Sequence, residues 1–194
     1  MAHPLKTLAT AAALLLGGAL WAQEPEPATL ALEVRASFPE AGLSAAEGGG
    51  QAPGLGLSLV MENDLVEHFE GWRARFAVGG DLWFWGNVSK VPGANGKVTA
   101  MHATGELVRM LRPGGDPVSL GPYVLVGLGL YEWTWTKQDP VQGPVDERVG
   151  HGTGIVGFGW RLTKTTDAEL KVLMGQMDAT TTAVALMGSL SWRF

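Results

Sequence analysis

The 194-residue chain has no cysteine, so neither a disulfide framework nor a thiolate metal site is available to it. It is also short of positive charge. Fourteen Lys and Arg stand against 19 Asp and Glu, for a net charge of −5, and no basic run occurs anywhere. That balance argues against nucleic acid as a partner. Beyond the N-terminal segment there is no apolar run of about 18 residues, so no helix of this chain is expected to span a bilayer. The 28 glycines follow no G-X-Y period and lie inside apolar runs, which excludes collagen and argues against a disordered chain. What the sequence does have is eight tryptophans. They suit interfacial anchoring, and equally a soluble core.

The first residues read as a leader. Lys6 supplies a positive start, Leu8 to Leu20 an apolar run rich in Ala and Leu, and Ala22 a small residue at the cut. This is the pattern of a secretory signal peptide over 1–22. Cleavage after Ala19, with Gly17 two residues before it, is an alternative. Residues 23–28 (QEPEPA) form a Pro-broken spacer on the periplasmic side, and residues 29–194 form the folded domain.

The C-terminal stretch Thr182 to Phe194 (TTAVALMGSLSWRF from Thr181) sets the interpretation. One parity carries Val184, Leu186, Gly188, Leu190, Trp192 and Phe194; the other carries Ala185, Met187, Ser189, Ser191 and Arg193. Strict alternation places each set on its own face of a β-strand. An apolar face ending in two aromatics at the last residue fits the closing strand of an outer-membrane barrel. Seven earlier segments alternate in the same way: 29–37, 54–62, 72–85, 98–111, 118–133, 152–163 and 168–175. The expectation is an all-β, eight-stranded, antiparallel, up-and-down transmembrane β-barrel. Connections alternate between long (Phe38–Pro53, Gly86–Lys97, Thr134–Gly150) and short (Arg112–Pro117, Lys164–Asp167), as such barrels do. An even strand number puts both termini in the periplasm.

Magnitude decides which face meets lipid. Arg35, Arg73, Arg75, Arg161 and Lys171 share the polar parity of their strands. Turning all five outward costs on the order of 10 kcal/mol, even discounting for depth. They are therefore expected inside, with Glu33, Asp81, His102, Glu106 and Glu169, as a paired luminal network. An eight-stranded barrel is just wide enough for side chains to fill, so a plugged interior is expected rather than a pore.

Three stretches resemble the small outer-membrane β-barrel family that includes OmpA-like, OmpX-like and opacity-type proteins: Gly121–Tyr131 (GPYVLVGLGLY), Gly154–Thr163 (GIVGFGWRLT) and Gly188–Phe194 (GSLSWRF). The resemblance implies a bacterial outer-membrane location and lipid as a partner. It also implies a terminal signal, Trp192 and Phe194, read by the outer-membrane insertion machinery. It implies no activity and no extracellular partner, since members range from anchors to adhesins.

No catalytic, cofactor or metal site stands out. Gly152–Gly157 is a literal GxGxxG, but it lies within a strand and opens no helix, as a dinucleotide loop must. His151 and Thr153 share a face and faintly resemble the His-x-Ser pair of barrel lipid A deacylases. Thr replaces Ser, and no orienting acid is apparent. His68 lies in Glu62–Glu70 (ENDLVEHFE), read as a solvated acidic turn rather than a cation loop. Asn87–Ser89 is a sequon that marks a loop. Trp83, Trp85, Tyr131, Trp133 and Trp135 cluster at one end of strands three and five. An unbroken register points them inward as an aromatic mouth for a small ligand. A β-bulge at Gly79–Gly80 instead sends Trp83 and Trp85 to lipid as girdle, and interfacial aromatics being the general rule, the girdle is the expected placement. The function expected is non-enzymatic, structural or in surface interaction. The alternatives are a lipid-modifying enzyme and a ligand-binding aromatic mouth.

Overall fold

The computed structural model describes residues 29–39, 53–65, 71–84, 97–111, 120–139, 141–176 and 182–194. The signal peptide and spacer expected before Thr29 lie outside the described residues. The eight strands are β1 (Thr29–Pro39), β2 (Gly54–Asp64), β3 (Trp72–Phe84), β4 (Lys97–Met110), β5 (Gly121–Asp139), β6 (Gly143–Arg161), β7 (Thr166–Gln176) and β8 (Thr182–Arg193). Each pairs antiparallel with its sequence neighbours, and β1 pairs β8 to close the barrel. Every strand is thus hydrogen-bonded on both sides, which is what lipid demands of a spanning sheet. Among the described residues no helix is long and apolar enough to cross a membrane.

Alternation fixes the sidedness. Along β2 the pattern is regular: Leu55, Leu57 and Leu59 are exposed while Gly54, Gly56, Ser58 and Val60 are buried. Val126 and Leu128 of β5, Phe158 and Trp160 of β6, and Leu190 and Trp192 of β8 continue the apolar exterior. Arg73, Arg75 and Lys171 are within 5 % of full burial inside. A one-residue slip would invert both faces at once, so the lipid face pins the register. Trp72, Trp160 and Trp192 face outward at the end of the barrel that holds Thr29 and Phe194, and the Arg109 guanidinium lies 5.2 Å from the Trp72 ring centroid.

Two strand ends differ from the sequence expectation. The stretch Thr134–Gly150, expected to be a long loop, is mostly strand: Thr134 pairs with Arg148 and the ladder runs on to Asp139 opposite Gly143. This hairpin carries β5 and β6 to 19 residues each, against 11 to 14 for the other strands. The turn at its tip closes on Gly143 at φ 80°, a conformation that suits glycine. The second difference is at β6–β7. Thr166 and Asp167 belong to β7, so the turn shrinks to Leu162–Thr165. The Thr166 carbonyl accepts from Leu162 N at 2.9 Å and Thr163 N at 3.2 Å.

Candidate functional site

The interior is the one place where the sequence concentrates chemistry, and strand parity builds it. Odd positions of β1, β3 and β5 to β8, and even positions of β2 and β4, point to the axis. Six buried carboxylates (Glu33, Glu62, Asp81, Glu106, Asp167, Glu169) meet six cations (Arg35, Arg73, Arg75, Arg161, Lys171, Arg193).

Towards the termini the hub is Glu62. Its Oε2 accepts from Arg75 Nη2 at 2.8 Å, and its Oε1 accepts from Arg161 Nη2 at 2.8 Å and Arg73 Nη1 at 3.1 Å. Asp167 accepts from Arg161 Nε at 3.1 Å and is paired with Arg193 of the closing strand. One level up the hub is Glu169, bonded to Arg75 Nη1 at 2.5 Å, to the Tyr123 hydroxyl, and ion-paired with Lys171 Nζ at 2.7 Å. The Tyr123 ring lies over Gly159 of β6, where a Cβ would collide with it. Lys171 continues to Glu33 at 2.9 Å and Glu106 at 3.5 Å. Higher still, Arg35 joins Glu33 at 2.8 Å and Asp81 at 3.0 Å. Charges removed from water need such partners on every side, because an uncompensated one is strongly destabilising.

The structure places all ten of the expected inward polar residues at the axis. Four further inward groups were not named in the expected network: Glu62, Tyr123, Asp167 and Arg193, the last although it was read on the polar parity of the closing strand. Glu62 was expected in a solvated acidic turn; it is instead the last buried inward position of β2, 7 % exposed and held by arginines. Asp167 was expected in a turn and is buried in β7. Both keep the parity of their neighbours, Ser58 and Val60 for one and Glu169 for the other. Glu62 already closed the expected strand 54–62, and one more residue at the start of 168–175 would have included Asp167. His68 lies outside the described residues.

Above this network stand Ser58, His102 and Asp81. Ser58 Oγ is 3.1 Å from His102 Nε2, and His102 Nδ1 is 3.1 Å from Asp81 Oδ2. These are the residue types of a nucleophilic triad, but the arrangement is not one. Arg35 Nη1 donates to Ser58 Oγ at 2.7 Å and Arg35 Nη2 lies 3.2 Å from Nε2, so a guanidinium occupies the nucleophile's surroundings. The Nδ1 to Oδ2 approach is close but lacks hydrogen-bond direction. The Tyr131 ring covers the imidazole at 4.7 Å.

The aromatics correct the girdle expectation. The β2–β3 ladder runs through Ser58↔Gly79 and Leu57↔Gly80 without a bulge, so Trp83 keeps the parity of Arg73 and Arg75 and opposes Phe76. It is 1 % exposed. Gly79 is where a Cβ would meet the backbone of Leu57 and Ser58; the glycine provides clearance, not a kink. Trp83 and Trp133 have centroids 5.3 Å apart, Trp133 and Tyr131 are stacked at 5.3 Å, and Tyr131 is stacked on His102. Trp85 and the side chain of Trp135 lie outside the described residues.

His151 is partly exposed and Thr153 is buried, its Oγ1 without a partner; among the described residues no hydrogen bond joins them or orients the imidazole. No group of three or more His, Asp or Glu among the described residues is arranged to hold a metal ion. Trp192 and Phe194 face outward on the closing strand, where Phe194 N donates to Leu30 O at 3.0 Å.

No protein-family model matches the chain, and no curated protein matches it. Solved structures do. The attachment invasion locus protein Ail of Yersinia pestis aligns over 86 % of this chain and 97 % of its own, at 10 % identity and TM-score 0.53. Neisserial surface protein A aligns over 89 % and 100 %, at 11 % identity and TM-score 0.52. The N-terminal β-barrel domain of Pseudomonas aeruginosa OprF aligns over 87 % and 100 %, at 11 % identity and TM-score 0.50. With its closed eight-strand ladder, oily exterior and charged axis, the chain has the fold of the small outer-membrane β-barrels.

Proposed function

We propose that the protein is a non-enzymatic barrel of the bacterial outer membrane, closed by its own side chains. On this reading it contributes to envelope structure or surface contact through its loops and its projecting β5–β6 hairpin. The observation that carries the proposal is the pairing inside: among the described residues five buried cations, with part-buried Arg193, meet the six buried axial carboxylates Glu33, Glu62, Asp81, Glu106, Asp167 and Glu169, each held by at least one ion pair. Such a core fills an eight-stranded lumen and leaves no net charge to draw ions through it.

Thr29 and Phe194 lie at the end of the β2–β3, β4–β5 and β6–β7 connections, which this reading assigns to the periplasm. Trp192 and Phe194 then serve the insertion machinery, and Leu55, Val126 and Leu190 face lipid. Outer-membrane fractionation with heat-modifiable gel migration tests the location. Planar-bilayer recording tests the closure. Recovery in the soluble fraction, or steady ohmic conductance from the unmodified protein, overturns the proposal.

A further inference from the structure

We propose that Arg109 and Trp72 form a docking site for an anionic phospholipid on the outer wall of the barrel, at the end that holds Thr29 and Phe194. The proposal rests on the outer-membrane reading above, which puts this wall against lipid. Arg109 stands on β4 between Val108 and Met110, which are 0 % and 1 % exposed, so alternation turns it outward. Arg109 and Trp72 are both half-buried and face each other across the β3–β4 ladder, with the guanidinium over the indole ring.

The direction of this arginine sets it apart. Arg35, Arg73, Arg75 and Arg161 point to the axis and meet carboxylates there. Arg109 points the opposite way, onto an apolar wall. Val124 lies beside it across the β4–β5 ladder, and Leu107 and Val126 face each other one step further toward the middle of the barrel. All three are exposed. The other outward positions in this half of β3, β4 and β5 carry no charge.

A cation on a lipid-facing wall is costly at the bilayer midplane and nearly neutral at the interface. Arg109 is one residue from the end of β4 and level with the first residue of β3. Outward tryptophans mark that level as interface. A guanidinium presents a planar fork that matches two phosphate oxygens, and it does so while lying against an aromatic face. A free phosphate would use the fork alone. A phospholipid also lays its acyl chains along Leu107 and Val126, so the wall selects the lipid. It offers no carboxylate to a choline or ethanolamine ammonium, so a headgroup of net negative charge fits better than a zwitterionic one.

The test uses the full barrel refolded in dodecylmaltoside micelles, which carry neither charge nor phosphate, with its tryptophan indoles labelled with nitrogen-15. Dihexanoylphosphatidylglycerol, dihexanoylphosphatidylcholine and inorganic phosphate are titrated in turn, with lipid concentrations counted in the micellar phase. The expected result is a saturable shift of the Trp72 indole signal with the lipids, severalfold tighter for phosphatidylglycerol, and no shift with inorganic phosphate. Arg109→Gln should abolish the preference between the two lipids. Should that variant fail to show heat-modifiable migration, Arg109→Lys keeps the charge without the fork and should weaken phosphatidylglycerol binding severalfold. Absence of a saturable shift, equal affinity for the two lipids, an equal shift with inorganic phosphate, or binding unchanged in the variant overturns the proposal. A barrel that shows heat-modifiable migration but no lipid preference would sink this site and leave the outer-membrane reading standing.

Discussion

Glu62 and Arg75 face each other across the β2–β3 ladder, and the Arg75 guanidinium donates from both Nε and Nη2 to Glu62 Oε2, at 3.2 and 2.8 Å. The same carboxylate serves Arg73, Arg161 and, at 3.6 Å, Arg193. One side chain thus ties β2, β3, β6 and β8 across the axis.

Glu62→Gln preserves shape and hydrogen-bonding oxygen while leaving four arginines without their shared charge. Breaking a buried pair by removing one partner costs about 3–5 kcal/mol. The urea midpoint of the barrel refolded in liposomes should fall accordingly. Asp64→Asn is the control. Asp64 also pairs with Arg73, at 2.6 Å, but is 46 % exposed, and a solvent-screened pair contributes about 0–1 kcal/mol. Equal losses in the two variants would mean that burial does not govern this network.

Gly159→Ala should also destabilise, by a different route. The Tyr123 ring occupies the space above Gly159, and its hydroxyl is bonded to Glu169. An added methyl either displaces the ring or breaks that bond. Overpacking of this kind costs about 1–3 kcal/mol. Gly152→Ala, where a Cβ would meet nothing within 4 Å, should leave the midpoint nearly unchanged.

Sidedness predicts a contrast on the outer surface. Val126→Lys places an ammonium at the centre of the exposed apolar row Val124, Val126 and Leu128 of β5 and should cost about 2–4 kcal/mol. Val141→Lys lies in the exposed turn of the projecting hairpin and should fall within about 0.5 kcal/mol of the parent. If Val126→Lys is equally silent in bilayer refolding, the exterior is not in hydrocarbon.

Alternation made the strands legible, because lipid outside and charge inside impose a period of two wherever the chain crosses the bilayer. It faded where that pressure ends. Beyond Thr134 the described side chains of the β5–β6 hairpin at Val145, Asp146 and Arg148 are exposed, so this stretch reads as loop although the backbone ladder persists. Trp83 was misplaced for another reason. Paired glycines at 79 and 80 permit a bulge and equally a straight, close-packed strand, and only the neighbouring Ser58 and Leu57 backbone decides between them. Glu62 was legible by parity but lay in an acid-rich stretch whose composition suggested solvent.

The C-terminal aromatic separates folding from assembly. Phe194 is 77 % exposed, and its backbone N–H, not its ring, makes the bond to Leu30 O. Phe194→Ser therefore removes little that holds the purified barrel together, and its refolded stability should stay within about 1 kcal/mol of the parent. If the ring is instead what the insertion machinery reads, heat-modifiable barrel in outer-membrane fractions should drop severalfold in cells expressing the variant. Trp192→Ser is the comparison: its side chain is 43 % exposed on the lipid face, so it should lower both quantities. Loss of in vitro stability with Phe194→Ser, at unchanged cellular yield, would assign the last residue to packing and remove the recognition role.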